Sequence, residues 1–168
     1  MTTDDLGHGP GPASHADVGL LAVQGAAILV ASLMLVLGIA GFVPGVTDHL
    51  DELRLSGPAS GAELLGVFTV SALQNGIHLA VGLAGLVLYR SYARARTYLL
   101  AGGFVYLAVW LYGLLTEQRS PANLVGANTA DTWLHFGFGL AMLVLALTLA
   151  GARVPRGARG EVLTPPAL

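Results

Sequence analysis

Four long stretches with at most one charged residue each constrain what this chain can fold into. They run over residues 18–42, 64–89, 97–116 and 131–150. About 20 apolar residues in a helix cross the hydrocarbon core of a bilayer. The chain is 54% hydrophobic and only 11% charged, whereas soluble domains carry about 25% charged residues. We therefore predict an all-α integral membrane protein, with these stretches as four spans of an up-down bundle.

The polar segments divide the chain into three regions. Residues 1–17 and 152–168 are rich in Gly, Pro and polar residues, so we expect disordered tails on either side of a transmembrane domain at 18–151. The first tail has acids where a secretory signal peptide has its basic region. Between the first two spans, Thr47–Leu55 has Leu at helical spacing and predicts a short amphipathic helix on the membrane surface.

Arginine distribution predicts the orientation. Six arginines lie in the connection between spans two and three or in the C-terminal tail: Arg90, Arg94, Arg96, Arg153, Arg156 and Arg159. The other two connections hold one each, Arg54 and Arg119. Cytoplasmic segments carry the excess of basic residues. We expect a multi-pass protein of the bacterial inner (cytoplasmic) membrane, with both termini in the cytoplasm.

An internal repeat relates the second and fourth spans. At a spacing of 57, five positions match as pairs: Gln74/Asp131, Asn75/Thr132, His78/His135, Gly82/Gly139 and Leu83/Leu140. Leu37-Gly38 in the first span echoes Tyr112-Gly113 in the third, at a spacing of 75. The sequence therefore predicts two similar helical hairpins in parallel orientation, each with a histidine in its second helix.

The polar residues within the spans are the candidate ligands or relay residues: His78, His135, Asp131, Asn75 and Gln74. Asp131 and His135 share a helix face, so the carboxylate can fix the imidazole tautomer, or Asp131 can cap its own helix. Three uses stay open. The cluster can be structural, it can handle protons or polar solutes, or His78 and His135 can be axial ligands of a b-type haem.

Small and aromatic residues indicate how the helices pack and where the bilayer interface lies. The glycines expected at helix contacts are Gly82, Gly85, Gly102, Gly103 and Gly139. The aromatic residues expected at the interface are Trp133, Tyr98 and Tyr112. The bilayer is the expected environment, and abundant Gly and Ala would permit a homo-oligomer or a larger membrane complex.

Other functional classes find little support in the sequence. The chain has no cysteine and none of the hydrolase, zinc-protease or phosphate-loop motifs, so we expect no enzyme. We expect no metal site, because Zn²⁺ would need a third ligand beside the two histidines. Apart from the haem alternative we expect no cofactor, and the charge pattern predicts no nucleic-acid binding. The favoured interpretation is an accessory or interaction subunit of a membrane complex.

Three stretches together resemble a known family. They are Leu73–Leu79 with Gly82 and Gly85, Ala95–Gly103 with Tyr106 and Tyr112-Gly113, and Asn128–His135 with Gly139. The pattern is similar to the four-helix membrane proteins of high-GC bacteria grouped as domain of unknown function 4383, over about residues 18–150. Gln74 departs from the family pattern, which has His there. The resemblance implies an integral membrane protein and implies no activity.

Overall fold

The protein is mostly helical. The structure, a computed structural model, describes residues 15–149, with side chains from Ala22 onward. Its helices are α1 (His15–Ala40), α2 (Ala72–Leu88), α3 (Tyr92–Leu115) and α4 (Thr129–Thr148). The connection between α1 and α2 forms β1 (Thr47–Asp48), a 3-10 turn (Leu50–Glu52), β2 (Glu63–Leu64) and β3 (Phe68–Thr69), and these strands make one antiparallel sheet in the order β1-β2-β3.

Consecutive helices pack as two pairs, α1 with α2 and α3 with α4, and α1 also packs against α3. The α2 and α4 backbones approach less closely and meet through side chains. The main core contains Met34, Leu99 and Met142, which are fully buried. The α1–α2 and α3–α4 connections meet at one end of the helices, where the Gly57 N–H donates to Leu124 O at 2.8 Å.

Three of the helices are long and apolar enough to cross a membrane: Ala22–Ala40 within α1, Tyr92–Leu115 and Thr129–Thr148. The remaining helix, α2, is apolar but only 17 residues long. Large aliphatic side chains lie exposed on all four helices, among them Leu29, Leu83, Val105 and Leu147. In water such surfaces would aggregate, so they indicate association with a membrane.

The second apolar stretch differs from the prediction at its start. The sequence predicted one helix over 64–89, but α2 begins at Ala72, and the residues before it form β2, β3 and the turn between them. Ser71 ends the extended segment by capping α2. The first free N–H groups of α2 then donate to the carbonyls of Arg54 and Leu55. Apolar character alone predicted a helix here, whereas Ala62, Leu64 and Val70 form a small core beneath the sheet.

The predicted surface helix over 47–55 is wrong. Thr47 and Asp48 pair with β2, and only three residues, Leu50–Glu52, make a 3-10 turn. Thr47 is held extended because its hydroxyl donates to the Ala40 carbonyl at 2.9 Å, at the end of α1. Acidic residues at the start of a segment favour a helix N-terminus. Here the pairing with β2 and the hydrogen bond from the Thr47 hydroxyl outweigh this preference for a helix.

The other helix bounds lie within a few residues of the prediction, except that α3 begins at Tyr92 rather than residue 97. Ser91 caps α3 by accepting a hydrogen bond from Arg94 N, so Arg94 and Arg96 lie within the helix. The predicted first tail overlaps α1 at residues 15–17. The rest of that tail, the tail at 152–168 and its arginines lie outside the described residues.

Candidate functional site

His78 and His135 occupy equal positions in α2 and α4. Ser71 caps α2 by accepting a hydrogen bond from Gln74 N at 3.2 Å, and Asn128 caps α4 by accepting one from Asp131 N at 2.9 Å. Each histidine is the seventh residue of its helix, about 9 Å along the axis from the first. The folding of the two connections therefore places both imidazoles at the same distance from the starts of their helices.

Three rings meet at this position. The His78 and His135 centroids lie 6.1 Å apart, and the Tyr106 ring of α3 lies 6.3 Å from His78 and 5.6 Å from His135. Phe138 also packs against Tyr106, with ring centroids 5.7 Å apart. Both histidines are at least 95% buried. The result is a compact aromatic cluster shared by α2, α3 and α4.

Asp131 has two structural roles. Its carboxylate accepts a hydrogen bond from Asn128 N at 3.1 Å, which completes a capping box at the start of α4. The other carboxylate oxygen accepts a hydrogen bond from Gln74 Nε2 at 3.2 Å. This bond joins α2 to α4 one turn above the imidazoles. It also compensates in part for burying a carboxylate, which is 1% exposed.

Several buried polar atoms near this cluster make no hydrogen bond within the described part of the chain: Gln74 Oε1, both amide atoms of Asn75, and His135 Nδ1. The Asn75 amide lies against Gly41, the residue that follows α1, where a Cβ would collide with it. Buried polar groups normally have partners, so these atoms mark places where water or a ligand would be stabilised.

A hydrogen bond between α3 and α1 extends the cluster. The Tyr106 hydroxyl donates to Met34 Sδ at 2.8 Å, and both residues are buried. The sequence did not single out Met34 or Tyr106 as site residues. A signal was present for Tyr106, because it lies on the same helix face as Gly103 and Leu99, three and seven positions earlier. For Met34 the sequence held no comparable signal.

The glycines expected at helix contacts lie at close approaches. A Cβ at Gly82 would lie 2.6 Å from Leu35 Cγ, and one at Gly139 would lie 2.8 Å from Leu107 Cγ. Gly85 faces Ala31 and Tyr98, Gly102 faces Met142, and Gly103 faces Leu143 and the Gly139 carbonyl. Each hairpin thus closes on glycine, which allows the backbones of its helices to come together.

The aromatic residues expected at the interface have different surroundings. Trp133 is half exposed and packs with Trp110 and Phe136 on the outer surface of α3 and α4. The Tyr112 hydroxyl donates to the Ala122 carbonyl and accepts a hydrogen bond from Leu124 N, so it fastens a connection. Tyr98 is buried in the main core, where its ring fills the space that Gly85 leaves.

Comparison with known proteins gives one match. The family model described as domain of unknown function (DUF4383) matches residues 24–148, which include all four helices apart from the beginning of α1. No curated protein matches the chain, and no solved structure does.

Proposed function

The chain belongs to the DUF4383 family, and we propose that it is a non-enzymatic integral membrane protein that serves as an accessory or interaction subunit of a membrane complex. The observation that carries this proposal is an exposed row of small residues on α2. Gly76, Ala80 and Ala84 recur every four residues and are all exposed, and nothing lies within 4 Å of a Cβ placed at Gly76. Rows of this kind allow another transmembrane helix to approach closely.

The buried cluster supports a structural role for the polar residues in such a subunit. Its contacts run between helices: Gln74 to Asp131, Tyr106 to Met34, and Tyr106 to both imidazoles. Interhelical hydrogen bonds in membranes contribute about 0.6 kcal/mol each on average, so they specify which helices pair more than they stabilise the fold. The protein then presents a defined outer surface to its partner.

Purification in mild detergent from the native host tests this role. We expect a second membrane protein at a fixed stoichiometric ratio, and Ala80→Leu should release it by filling the row on α2. Ala101→Leu is the matched control, since Ala101 is an exposed alanine on α3. A homodimer sensitive to Ala80→Leu would assign the row to a second copy of the chain. A monomer without a partner would contradict the proposal.

The two hairpins are, in our proposal, a parallel repeat related by a pseudo-two-fold axis within an up-down bundle. Three contacts join positions that the repeat makes equivalent: Gln74 with Asp131 and His78 with His135 at a spacing of 57, and Met34 with Tyr106 at a spacing of 72. Residues near a two-fold axis contact their own counterparts. For α1 and α3 these contacts favour a spacing of 72, instead of the 75 predicted from Leu37-Gly38.

The repeat can be tested with cysteine cross-links in a chain that has no natural cysteine. Paired cysteines at Met34 and Tyr106, which are in contact, should cross-link within one molecule. Pairing Met34 with Val109 instead, as a spacing of 75 would require, should give little product. Equal yields for the two pairs would count against this register.

We also propose that both termini lie in the cytoplasm and that the protein resides in the cytoplasmic membrane. Arg90 lies in the α2–α3 turn and Arg94 in the first turn of α3, at the other end of the helices from the two connections that contact each other. The arginine excess at this turn supports a cytoplasmic location for it. A reporter that is active only in the cytoplasm, fused after Leu168, should be active, and an inactive reporter would reverse the orientation.

Proton or polar-solute handling is a second candidate, favoured by the unpaired His135 Nδ1. Asp131 at the helix start and His135 one turn deeper would form the beginning of a relay. Liposomes containing the protein, under an imposed potential, should then change internal pH faster than liposomes with Asp131→Asn protein. Equal rates in the two preparations would exclude a relay through this carboxylate.

A b-type haem is the third candidate. Two axial imidazoles on one iron have centroids about 6 Å apart, and the histidine centroids are 6.1 Å apart. The Tyr106 ring, which contacts both imidazoles, would have to move for a porphyrin to enter. A Soret band in the purified protein that disappears in His78→Ala would support haem, and a colourless protein would exclude it.

A further inference from the structure

The histidine pair is a set of donor atoms with no assigned partner. His78 and His135 come from different helices, their rings are tilted by 50°, and they are 5% and 4% exposed. Within residues 15–149 no hydrogen bond engages either imidazole, and His135 Nδ1 is fully enclosed. Neutral imidazoles carry one lone pair each. Two such lone pairs therefore lie in an apolar interior where water is scarce.

The separation of the rings fits a single ion between them. An imidazole nitrogen binds a metal at about 2.0–2.1 Å, so two rings that bind one ion from nearly opposite sides have centroids about 6 Å apart. The observed centroid separation is 6.1 Å. A nearly linear arrangement of two nitrogens is one that few metal ions accept.

The donor set decides which ion is suitable. Within the described residues, no group of three His, Cys, Asp or Glu side chains is placed to hold a metal, so the three or four ligands of Zn²⁺ are missing. A soft donor in the same cluster is the thioether of Met34. It accepts a hydrogen bond from the Tyr106 hydroxyl, and the Tyr106 ring contacts both imidazoles. Thioether and imidazole together favour monovalent copper.

The cost of burying an ionic charge also favours a monovalent copper ion. An uncompensated divalent cation in the hydrocarbon region is far more costly than a monovalent one. One buried carboxylate, Asp131, lies one helical turn from His135 and supplies a single negative charge. We propose that His78 and His135 bind one Cu(I) ion between α2 and α4, with Met34 as an additional soft ligand. This site goes beyond the accessory role and does not depend on it.

An anaerobic titration tests the site. The full-length protein, purified in detergent through a tag without histidine, competes with a chromophoric Cu(I) chelator. We expect one Cu(I) per chain and no competition from Zn²⁺. His78→Phe and His135→Phe keep a ring against Tyr106 but remove the donors. Each should weaken binding more than about 100-fold, because loss of an outer-sphere partner alone costs 10- to 100-fold. Met34→Leu should weaken it about 10-fold.

The other histidines supply the controls. His49→Phe alters the outer connection, and a His8→Ala/His15→Ala double variant removes the remaining two histidines. Both proteins should bind Cu(I) like the unaltered chain. Binding that disappears in either control, or that persists in His78→Phe and His135→Phe, would overturn the proposal. So would an unaltered protein that takes up no Cu(I), since the imidazoles would then be a packing pair.

A second measurement covers the case in which the Phe variants fail to fold. X-ray absorption at the copper edge of the loaded, unaltered protein reports the ligands directly. Two imidazole nitrogens, with or without a sulfur, are expected. A spectrum without two imidazole nitrogens would overturn the proposal. Ag(I), which has similar ligand preferences, should raise the unfolding temperature of the unaltered protein and leave that of a folded His78→Gln/His135→Gln variant unchanged.

Discussion

The hairpins α1–α2 and α3–α4 begin their second helices in the same way and differ where they meet. Ser71 and Asn128 cap the two helices, His78 and His135 follow seven residues later, and glycine lies one turn beyond each histidine. At the contact between the hairpins, however, the first has Gln74 and Met34, and the second has Asp131 and Tyr106.

The difference shows how two similar halves can pair. Under the two-fold relation that we propose, identical residues would place Asp against Asp, where like charges repel, or Tyr against Tyr, where two rings compete for one space. Because the two residues of each pair differ, the Gln74 amide donates to the Asp131 carboxylate, and the Tyr106 hydroxyl donates to the Met34 sulfur. The histidines alone stay identical, and they contact through their rings. Variants at matching positions of the two hairpins test this difference.

Leucine at Gly82 or Gly139 should have the largest effect, and a similar one in both hairpins. A Cβ at either position would lie under 3 Å from a leucine of the partner helix. Overpacking of this kind costs about 3 kcal/mol. The free energy of unfolding in detergent, followed by circular dichroism, measures it. Gly137→Leu is the control, because nothing lies within 4 Å of its Cβ. If Gly82→Leu destabilised the protein and Gly139→Leu did not, the helices of the two hairpins would pack differently.

Asp131→Ala should cost about 2 kcal/mol, as it removes both a helix cap and an interhelical bond. Gln74→Ala, at the equivalent position, should cost about 1 kcal/mol, since it removes the bond and leaves the carboxylate without its amide partner. The double variant then gives a coupling of about 0.6 kcal/mol. Equal losses at the two positions would mean that the capping box contributes nothing.

Ser71→Ala and Asn128→Ala should each cost about 1 kcal/mol by removing an N-cap. Asn128→Ala should cost more, because its amide also donates to Val67 O at 2.8 Å and to Thr69 Oγ1 at 3.0 Å. Ser71 makes one such additional bond, to Val125 O at 2.9 Å. Thermal unfolding of both variants ranks them. A larger loss for Ser71→Ala would contradict the assignment of Asn128 as the stronger link between connections.

Tyr106→Phe should have the smallest effect, a loss of about 0.6 kcal/mol from the bond to Met34. Tyr98→Phe is the matched variant, since the Tyr98 hydroxyl is buried without a partner in the described chain. Its removal should leave stability unchanged or raise it. Unfolding in increasing SDS compares the two proteins. If Tyr98→Phe were the more damaging change, the Tyr98 hydroxyl would have a partner in the membrane.

The sequence predicted the helices from composition, and the spacing of 57 predicted a histidine in each of α2 and α4. Apolar runs of 20 residues have few alternatives in a protein, and the spacing of 57 also relates the two caps. The contact of Gln74 with Asp131 was not predicted, although both residues were selected. Helix periodicity gives the face of each residue but not the rotation of one helix against another, and that rotation decides which residues meet.

The connection between α1 and α2 was predicted least well. Leu64 and Val70 have the composition of a membrane span, yet they cover a small sheet. The pairing of Thr47 with Leu64 joins residues 17 positions apart, and local composition does not encode such a pairing. Likewise, the place of Met34 in the site depends on α3 lying beside α1, which the first span alone does not specify.

The shortness of α2 has a consequence for the lipids beside it. Its 17 residues extend about 25 Å, whereas the hydrocarbon core is about 30 Å thick. The 24 residues of α3 extend about 36 Å. In a bundle where both helices cross the bilayer, hydrophobic mismatch of opposite sign would act on the two flanks: the bilayer would thin beside α2, and α3 would tilt or project from it. Lipids with short chains should gather along the flank where Gly76, Ala80 and Ala84 lie exposed.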